Sequence, residues 1–379
     1  MDVARSTLQT VRRKDLEPTG VETLRRILMG SVHAGASDIH MRHGRAPMVR
    51  LHGELRVLEH PELDESEIEL FTQILAEQGK VPDTRLLARQ CNFACEARGV
   101  GRFRVHAYTQ DGSRALVLRT IPSPIPDFAE LRIPPVMKRL TELSRGLVLV
   151  TGATGNGKST TIASLLDRVN QERAKHIVTI EEPIEFLFDD NRSSFSQREI
   201  GRDVDDAQSG LHGALREDPD WIFVGEIRTA EELELALGAT EAGHVVVSTL
   251  HAQDAMRAIQ RMVQLYPEAR RDTVHQRLAD SLEALVSQRL VPRRGGVDRV
   301  LVTEVLLRTP TIQDCIRDPA RLRAIPKALD AGVSEYGTHT FDHQLFGLVR
   351  DGVIAADTAR AVASVPNDLA RALQMGKRI

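Results

Sequence analysis

The residues Gly152-Ala153-Thr154-Gly155-Asn156-Gly157-Lys158-Ser159-Thr160 contain the full pattern G-x-x-x-x-G-K-[ST]. Glycines at these positions let the backbone turn tightly and aim successive N–H groups at phosphate oxygens, and a helix starting there adds its partial positive charge. In such a loop Lys158 reaches the β- and γ-phosphates and the Ser159 hydroxyl sits on Mg²⁺. An ordinary glycine-rich turn between a strand and a helix would not demand Lys and Ser in succession. The chemistry indicated is binding of a nucleoside triphosphate.

Two acidic turns and two histidines can complete that chemistry. The apolar run 177–180 ends in Glu181-Glu182-Pro183-Ile184-Glu185, so its carboxylates emerge at a strand end. That is the edge where open α/β sheets bind ligands. A carboxylate there can orient or deprotonate the water that attacks the γ-phosphate. Trp221-Ile222-Phe223-Val224-Gly225-Glu226 repeats the arrangement, placing Glu226 to hold Mg²⁺ through water, with Arg228 close enough to pair with it. His244 and His251 flank the apolar run 245–249, which gives each a candidate role near the γ-phosphate.

These groups require strands that end in loops at one sheet edge. The β-rich run 147–150 enters the glycine loop and 160–166 leaves it as a helix. Further strands are expected at 177–180, 221–224, 245–249 and 300–307, with helices filling the gaps, which makes a doubly wound α/β domain. Upstream, Leu24, Ile27, Leu28 and Val32 recur at helical spacing, and a second helix fits 65–78. Short strands fit 37–41, 47–51, 54–58 (around a His52-Gly53 turn), 101–109 and 113–120, giving a smaller α+β domain. Pro122, Pro124, Pro126, Pro134 and Pro135 stiffen the stretch between the two. The resulting division is a lead-in over 1–20, an N-terminal domain over 21–120, a linker over 121–146, the nucleotide domain over 147–337 and a helical appendage over 338–379.

Composition narrows the class. Over 379 residues the net charge is only −3, so no global field draws the chain to nucleic acid or to an anionic membrane. The longest apolar runs are too short to cross a bilayer, and the N-terminus shows no apolar signal core, so a cytoplasmic protein that reaches a membrane through a partner is expected. Cys91, Cys95 and Cys315 cannot form a disulfide framework or a zinc set and read as small, partly buried residues.

Read together, these residues resemble the PilT/PilU family, the pilus-retraction branch of the type II and type IV secretion ATPases. The stretch 151–161 looks like its Walker A, 181–185 its Asp box, Val224-Gly225-Glu226-Ile227-Arg228 its Walker B and 243–251 its His box. Ala36-Ser37-Asp38-Ile39-His40, Arg102-Phe103-Arg104-Val105 and Leu215-Arg216-Glu217-Asp218-Pro219-Asp220 extend the likeness over most of the chain. The resemblance implies a PAS-like N-terminal domain and a RecA-like ATPase domain that swing against each other in a homohexameric ring. It further implies ATP and Mg²⁺, Glu185 as the acid that activates water, Glu226 on the Mg²⁺ side, and His244 and His251 near the γ-phosphate. Arg102, Arg104, Arg114 and Arg119 lie in the strands that in this family supply arginines to the nucleotide. Arg104 and Arg119 are preferred as fingers because strand alternation puts them on a face with few other charges. Implied partners are an inner-membrane pilus platform protein and a paralogous retraction ATPase, at the inner face of the inner membrane.

Two departures bear on the branch. Glu182 stands where the Asp box has Asp, and Thr311-Ile312-Gln313-Asp314-Cys315 replaces the Ala-Ile-Arg-Asn-Leu of PilT-type motors. The tail, with Thr340 to Phe346 and Val365-Pro366-Asn367-Asp368-Leu369, looks more like the accessory PilU type. The readings left open are a principal retraction motor, an accessory subunit with low turnover, and an assembly or secretion ATPase. A nucleic-acid motor on the same core would need a basic, aromatic-lined channel that the sequence does not show.

Overall fold

The computed structural model describes residues 18–376 except 52, 123 and 297. The lead-in expected over 1–20 therefore lies outside the described residues up to 17, as does His52 of the expected turn. The chain divides into two compact units. One comprises the residues up to Pro124 together with Glu182–Phe186, and the other Ile125–Glu181 and everything from Leu187 onward.

In the first unit, helix α1 runs over Pro18–His33. Helix α2 (Glu65–Gln78) starts at a capping box between Asp64 and Glu67. Both back a six-stranded antiparallel sheet of β1 (Asp38–Arg42), β2 (Met48–Leu51), β3 (Glu54–Val57), β4 (Gln90–Ala97), β5 (Gly101–Gln110) and β6 (Ser113–Ile121), in the order β3-β2-β1-β6-β5-β4. Period-2 alternation sends Ile39, Met41, Val49, Phe93, Phe103, Val105, Leu116 and Leu118 into one core with Leu24, Leu28, Ile68 and Phe71 of the helices. The opposite face is polar. Arg119 stands across from Asp38 on one side and from Arg104 on the other, and Asp38 from Arg50. The expected charge-poor face around Arg104 and Arg119 is therefore corrected: register lines up four charges across it.

The second unit is built on a seven-stranded sheet of β7 (Gly146–Thr151), β8 (His176–Glu181), β9 (Ser194–Glu199), β10 (Trp221–Val224), β11 (Val245–Leu250), β12 (Leu282–Pro292) and β13 (Arg299–Leu307), in the order β13-β12-β7-β11-β10-β8-β9. Neighbours from β12 to β9 run parallel, and β13 returns antiparallel at the edge. One face packs on α3 (Lys158–Glu172) through Ile162, Leu165 and Val169; the other packs on α4 (Ala207–Ala214), α5 (Ala230–Glu241), α6 (Ala255–Gln264) and α7 (Arg271–Ser281). This is the three-layered arrangement of a RecA-like P-loop domain.

Three strands escaped the sequence reading: β4, β9 and β12. The gap assigned to helices before the expected strand at 300–307 contains β12, eleven residues long. Its buried polar Ser287 and Gln288 interrupt the apolar pattern that marks a strand. The stretch 121–146 also differs from a free linker. Ile121 ends β6, while Ile133, Met137 and Leu140 are buried in the second unit's core. None of the three cysteines is in a disulfide and all are buried, and burial pushes the Cys95 thiol up to about 12. The tail folds as α8 (Pro310–Arg317), α9 (Ile325–Ala331), α10 (Phe341–Arg350), α11 (Ala356–Val362) and α12 (Pro366–Met375), the last three closing a small core with Val291, Val300 and Val302 of the β12–β13 hairpin.

Glu304 lies inside β13 at 4% exposure, and burial raises its carboxyl from the ordinary 4.5 to about 7, against the pull of the Ala255 N–H and Arg289. The folded protein therefore holds this proton more tightly than the unfolded chain. Stability contributed by Glu304 is complete below about pH 4.5 and is lost as pH rises through about 7, a change on the order of 3 kcal/mol. Urea unfolding at pH 5 and pH 8 should show this loss, and Glu304→Gln should flatten it; an equal pH dependence in the variant would contradict the assignment.

Candidate nucleotide site

The glycine loop leaves β7 at its C-terminal end and enters α3. Gly157 caps that helix at φ 81° and no side chain caps it. By contrast, α4, α5 and α6 are capped by the side chains of Asp206, Thr229 and Asp254. A helix start after a strand, with no side chain on its first amides, has donors to offer an anion. Lys158 Nζ donates to the Gly152 and Ala153 carbonyls at 2.9 and 3.2 Å, so the ammonium is turned back over the loop. Ala153, Thr154 and Gly155 are exposed, and Ser159 and Thr160 are half-buried at the start of α3.

The loop's shape is set from the side by β12. Asn156 Nδ2 donates to the Gln288 carbonyl at 3.1 Å while the Leu290 N–H donates to Asn156 Oδ1, so one side chain pairs with this strand as a backbone would. Gln288 Nε2 in turn donates to Thr161 Oγ1 at 2.7 Å, and Thr151 Oγ1 to Ser287 Oγ at 3.0 Å. Gly152 has φ +146°, and a Cβ there would meet the Gln288 carbonyl oxygen at 2.6 Å. Strand and loop thus approach as closely as a glycine permits.

Along the same sheet edge, Glu226 follows β10 and His251 follows β11. Their carboxylate and ring meet, Glu226 Oε1 lying 3.3 Å from His251 Nε2, while Glu226 Oε2 pairs with Arg228 Nε at 3.0 Å, as the spacing anticipated. The turn carrying Glu226 is pinned by Thr249 Oγ1 donating to the Gly225 carbonyl at 2.6 Å and by the Gly225 N–H donating to the Ile180 carbonyl at 2.9 Å. The strand order β7-β11-β10 puts the loop and Glu226 two strand spacings apart, about 10 Å. That is the scale of a triphosphate with its metal.

Not every expected residue joins this cluster. His244 precedes β11, so about 20 Å of strand separates it from His251, and its Nδ1 lies 2.8 Å from the Pro219 carbonyl. The expectation that both histidines face the γ-phosphate is corrected, because a residue entering a parallel strand stands at the sheet edge opposite the one its exit loop forms. In the first unit, Arg119 Nε pairs with Asp38 at 3.0 Å, and the Arg114 guanidinium donates to the Leu86 carbonyl. Arg102 donates to the Glu185 and Ile184 carbonyls at 2.9 and 2.7 Å, and Arg104 Nη1 pairs with Glu185 Oε1 at 3.2 Å. The residues missed by sequence reasoning are Gln288, Leu290 and their strand. The signal available was the apolar run Ala284-Leu285-Val286 and the apolar pair Leu290-Val291 on either side of Ser287-Gln288-Arg289.

A family model described as Type II/IV secretion system protein matches residues 13–318. The chain belongs to the PilT/PilU family of secretion ATPases. It is 39% identical over 343 residues to the type IV pilus retraction ATPase PilT of Pseudomonas aeruginosa, covering 90% of this chain and 98% of that one. The type IV pilus ATPase PilU of the same organism is 36% identical over 354 residues, covering 93% and 91%. In structure the chain is similar to the pilus retraction motor PilT with bound ADP, at TM-score 0.81 and 38% identity over 93% of this chain. It is also similar to the Legionella pneumophila ATPase DotB, at TM-score 0.75 and 26% identity over 90% of this chain. As a family member the chain is an ATPase. No helix among the described residues is long and apolar enough to cross a membrane.

Gly152→Ala should force the loop away from Gln288, and Asn156→Ala should release its side anchor. Titration with a fluorescent ADP should show binding lost in the first and weakened about tenfold in the second, the loss of two hydrogen bonds partly replaced by water. Unchanged affinity in both would show that β12 does not shape the loop.

Proposed function

We propose that this ATPase is an Mg²⁺-dependent motor of a type IV pilus machine, working as a homohexameric ring whose hydrolysis cycle drives pilus retraction. The observation carrying it is the convergence, on one sheet edge, of the uncapped helix start with Lys158 and of the Glu226–His251–Arg228 cluster. The likeness to PilT across nearly the whole of both chains supports the mechanical output.

In this reading the amides of 155–160 bind the phosphates and Lys158 neutralises charge that develops on the transferred group. The Ser159 hydroxyl and Glu226, an all-oxygen pair, suit a hard cation and would hold Mg²⁺. Bound there, Mg²⁺ supplies charge neutralisation between the outer phosphates. His251 and Arg228 orient the Glu226 carboxylate from either side. Glu185 acts as the base toward the attacking water, with Arg104 aiming its carboxylate. Arg102, which grips the main chain at 184 and 185, keeps that turn in place. Arg104 is the preferred finger, since its carboxylate partner is Glu185 of the acidic turn, whereas Arg119 pairs with Asp38 within the sheet.

An inner-membrane platform protein is the proposed docking partner, which would hold the ring at the cytoplasmic face of that membrane. A second reading, an accessory PilU-like subunit with low turnover, is favoured by the 36% identity to PilU and by the altered 311–315 segment, which lies in α8 with Ile312 and Cys315 buried and Thr311 and Asp314 exposed.

Lys158→Ala should lower steady-state ATP hydrolysis by roughly a hundredfold or more. Glu226→Gln combined with Glu185→Gln should stop turnover while ADP still binds. Wild-type turnover by the double variant would refute the site. Assays with and without a paralogous motor separate the readings: an independent motor hydrolyses ATP alone, whereas the accessory subunit gains activity only in the mixture.

A further inference from the structure

Arg289 sits between the two residues of β12 that hold the glycine loop, but its side chain goes elsewhere. Its guanidinium lies 3.8 Å from the centre of the Phe341 ring, at the start of α10. It donates to the Val362 carbonyl at the end of α11 and to the Gln253 carbonyl at 3.4 Å. Gln253 belongs to the turn that carries His251 into α6. That turn is held at its other end by Asp254 accepting from the Arg257 N–H at 2.8 Å and by buried Glu304 accepting from the Ala255 N–H at 2.7 Å. On the appendage side, Asp342 accepts the Ser364 and Val365 N–H groups at 2.6 and 2.7 Å, which fixes the bend just past Val362.

We infer that Arg289 is a positioning residue through which the C-terminal helices α10 and α11 set the turn bearing His251, and so the carboxylate of Glu226. Resting on the reading of His251 and Glu226 as the hydrolytic side of the site, it deepens that reading by adding a control point outside it. The route is continuous: Phe341 and Val362 to Arg289, Arg289 to Gln253, the turn to His251, and His251 to Glu226 at 3.3 Å. Loop and turn are separable along it. Main-chain groups of Gln288 and Leu290 hold the phosphate loop, so replacing the Arg289 side chain leaves that clamp intact while releasing the turn. Burial and the neighbouring Arg257 disfavour the Arg289 charge, Glu304, Asp254 and Asp342 offset this at longer range, and the guanidinium's direct partners are carbonyls and a ring. Such a cation links main-chain segments with little pull of its own toward a single carboxylate.

The test compares the full-length protein with Arg289→Met, Arg289→Lys and Phe341→Leu, measuring kcat, KM for ATP, ADP affinity and amide hydrogen exchange of residues 251–257 without nucleotide. Arg289→Met should lower kcat about five- to tenfold, as expected for a displaced group beside the reacting centre, with KM and ADP affinity within about twofold. Exchange in 251–257 should quicken. Arg289→Lys, which keeps a cation over the ring and a donor for one carbonyl, should recover most of both. Phe341→Leu should act in the same direction, and the double variant should be no worse than Arg289→Met alone. An unchanged kcat and unchanged exchange beside a lowered melting temperature would make Arg289 merely structural and overturn the inference, as would a loss of ADP affinity matching the loss of kcat. Exchange is read without turnover. A Lys158→Ala protein that still hydrolysed ATP would therefore defeat the catalytic reading while leaving the link between Arg289 and the turn to be judged by exchange.

Discussion

The side chain of Asn156, paired to both a carbonyl and an N–H of β12, is the constraint on which the shape of the glycine loop depends. A glycine-rich loop has many conformations open to it, and its affinity for phosphate comes from holding one of them before the ligand arrives. Here the ordering is done by a neighbouring strand at a distance that only a glycine at 152 tolerates. Because β12 pairs in parallel with β7 in a continuous register from Ala284 to Ser287, the strand cannot shift without moving the loop. The same strand is antiparallel to β13 over nine residue pairs and carries the C-terminal helices on its far half. Loop shape, sheet edge and appendage are therefore one mechanical unit.

A second organising feature is the polar face of the N-terminal sheet. Its register stacks Arg50, Asp38, Arg119 and Arg104 in one row, and the row is sorted by pairing: Asp38 takes Arg119, and Glu185 takes Arg104. The candidate arginines Arg102, Arg104, Arg114 and Arg119, of which the sequence preferred Arg104 and Arg119, therefore have different partners. Each pair joins a solvent-accessible arginine to a more covered carboxylate, so its value lies chiefly in orientation. Arg102 is distinguished again, because its two hydrogen bonds go to main-chain carbonyls and so hold the acidic turn by its backbone.

Much was legible because local chemistry and periodicity spoke together. The glycine loop and the acidic turns follow apolar runs, the strands at 221–224 and 245–249 begin with apolar residues and end near functional ones, and helix 65–78 announces itself with a capping box. Less legible was β12, where Ser287 and Gln288 are polar yet almost fully buried because each has a partner that lies more than a hundred residues earlier in the chain. His244 and His251 were indistinguishable by spacing, since both flank one strand. Only the direction of that strand in a parallel sheet separates the residue at the ligand edge from the one at the opposite edge.

By itself the sequence determined that a phosphate-binding loop exists, that strands end in acids near it, and that the chain resembles a family of mechanical ATPases. These are short-range properties: a motif, a period, a charge at a run's end. Tertiary structure alone decided which arginine meets which carboxylate, which histidine reaches Glu226, and that a strand beginning more than a hundred residues after the loop holds it in shape. Those pairings depend on register and strand order, which set distances of a few ångströms between residues far apart in the chain and leave no trace in local spacing.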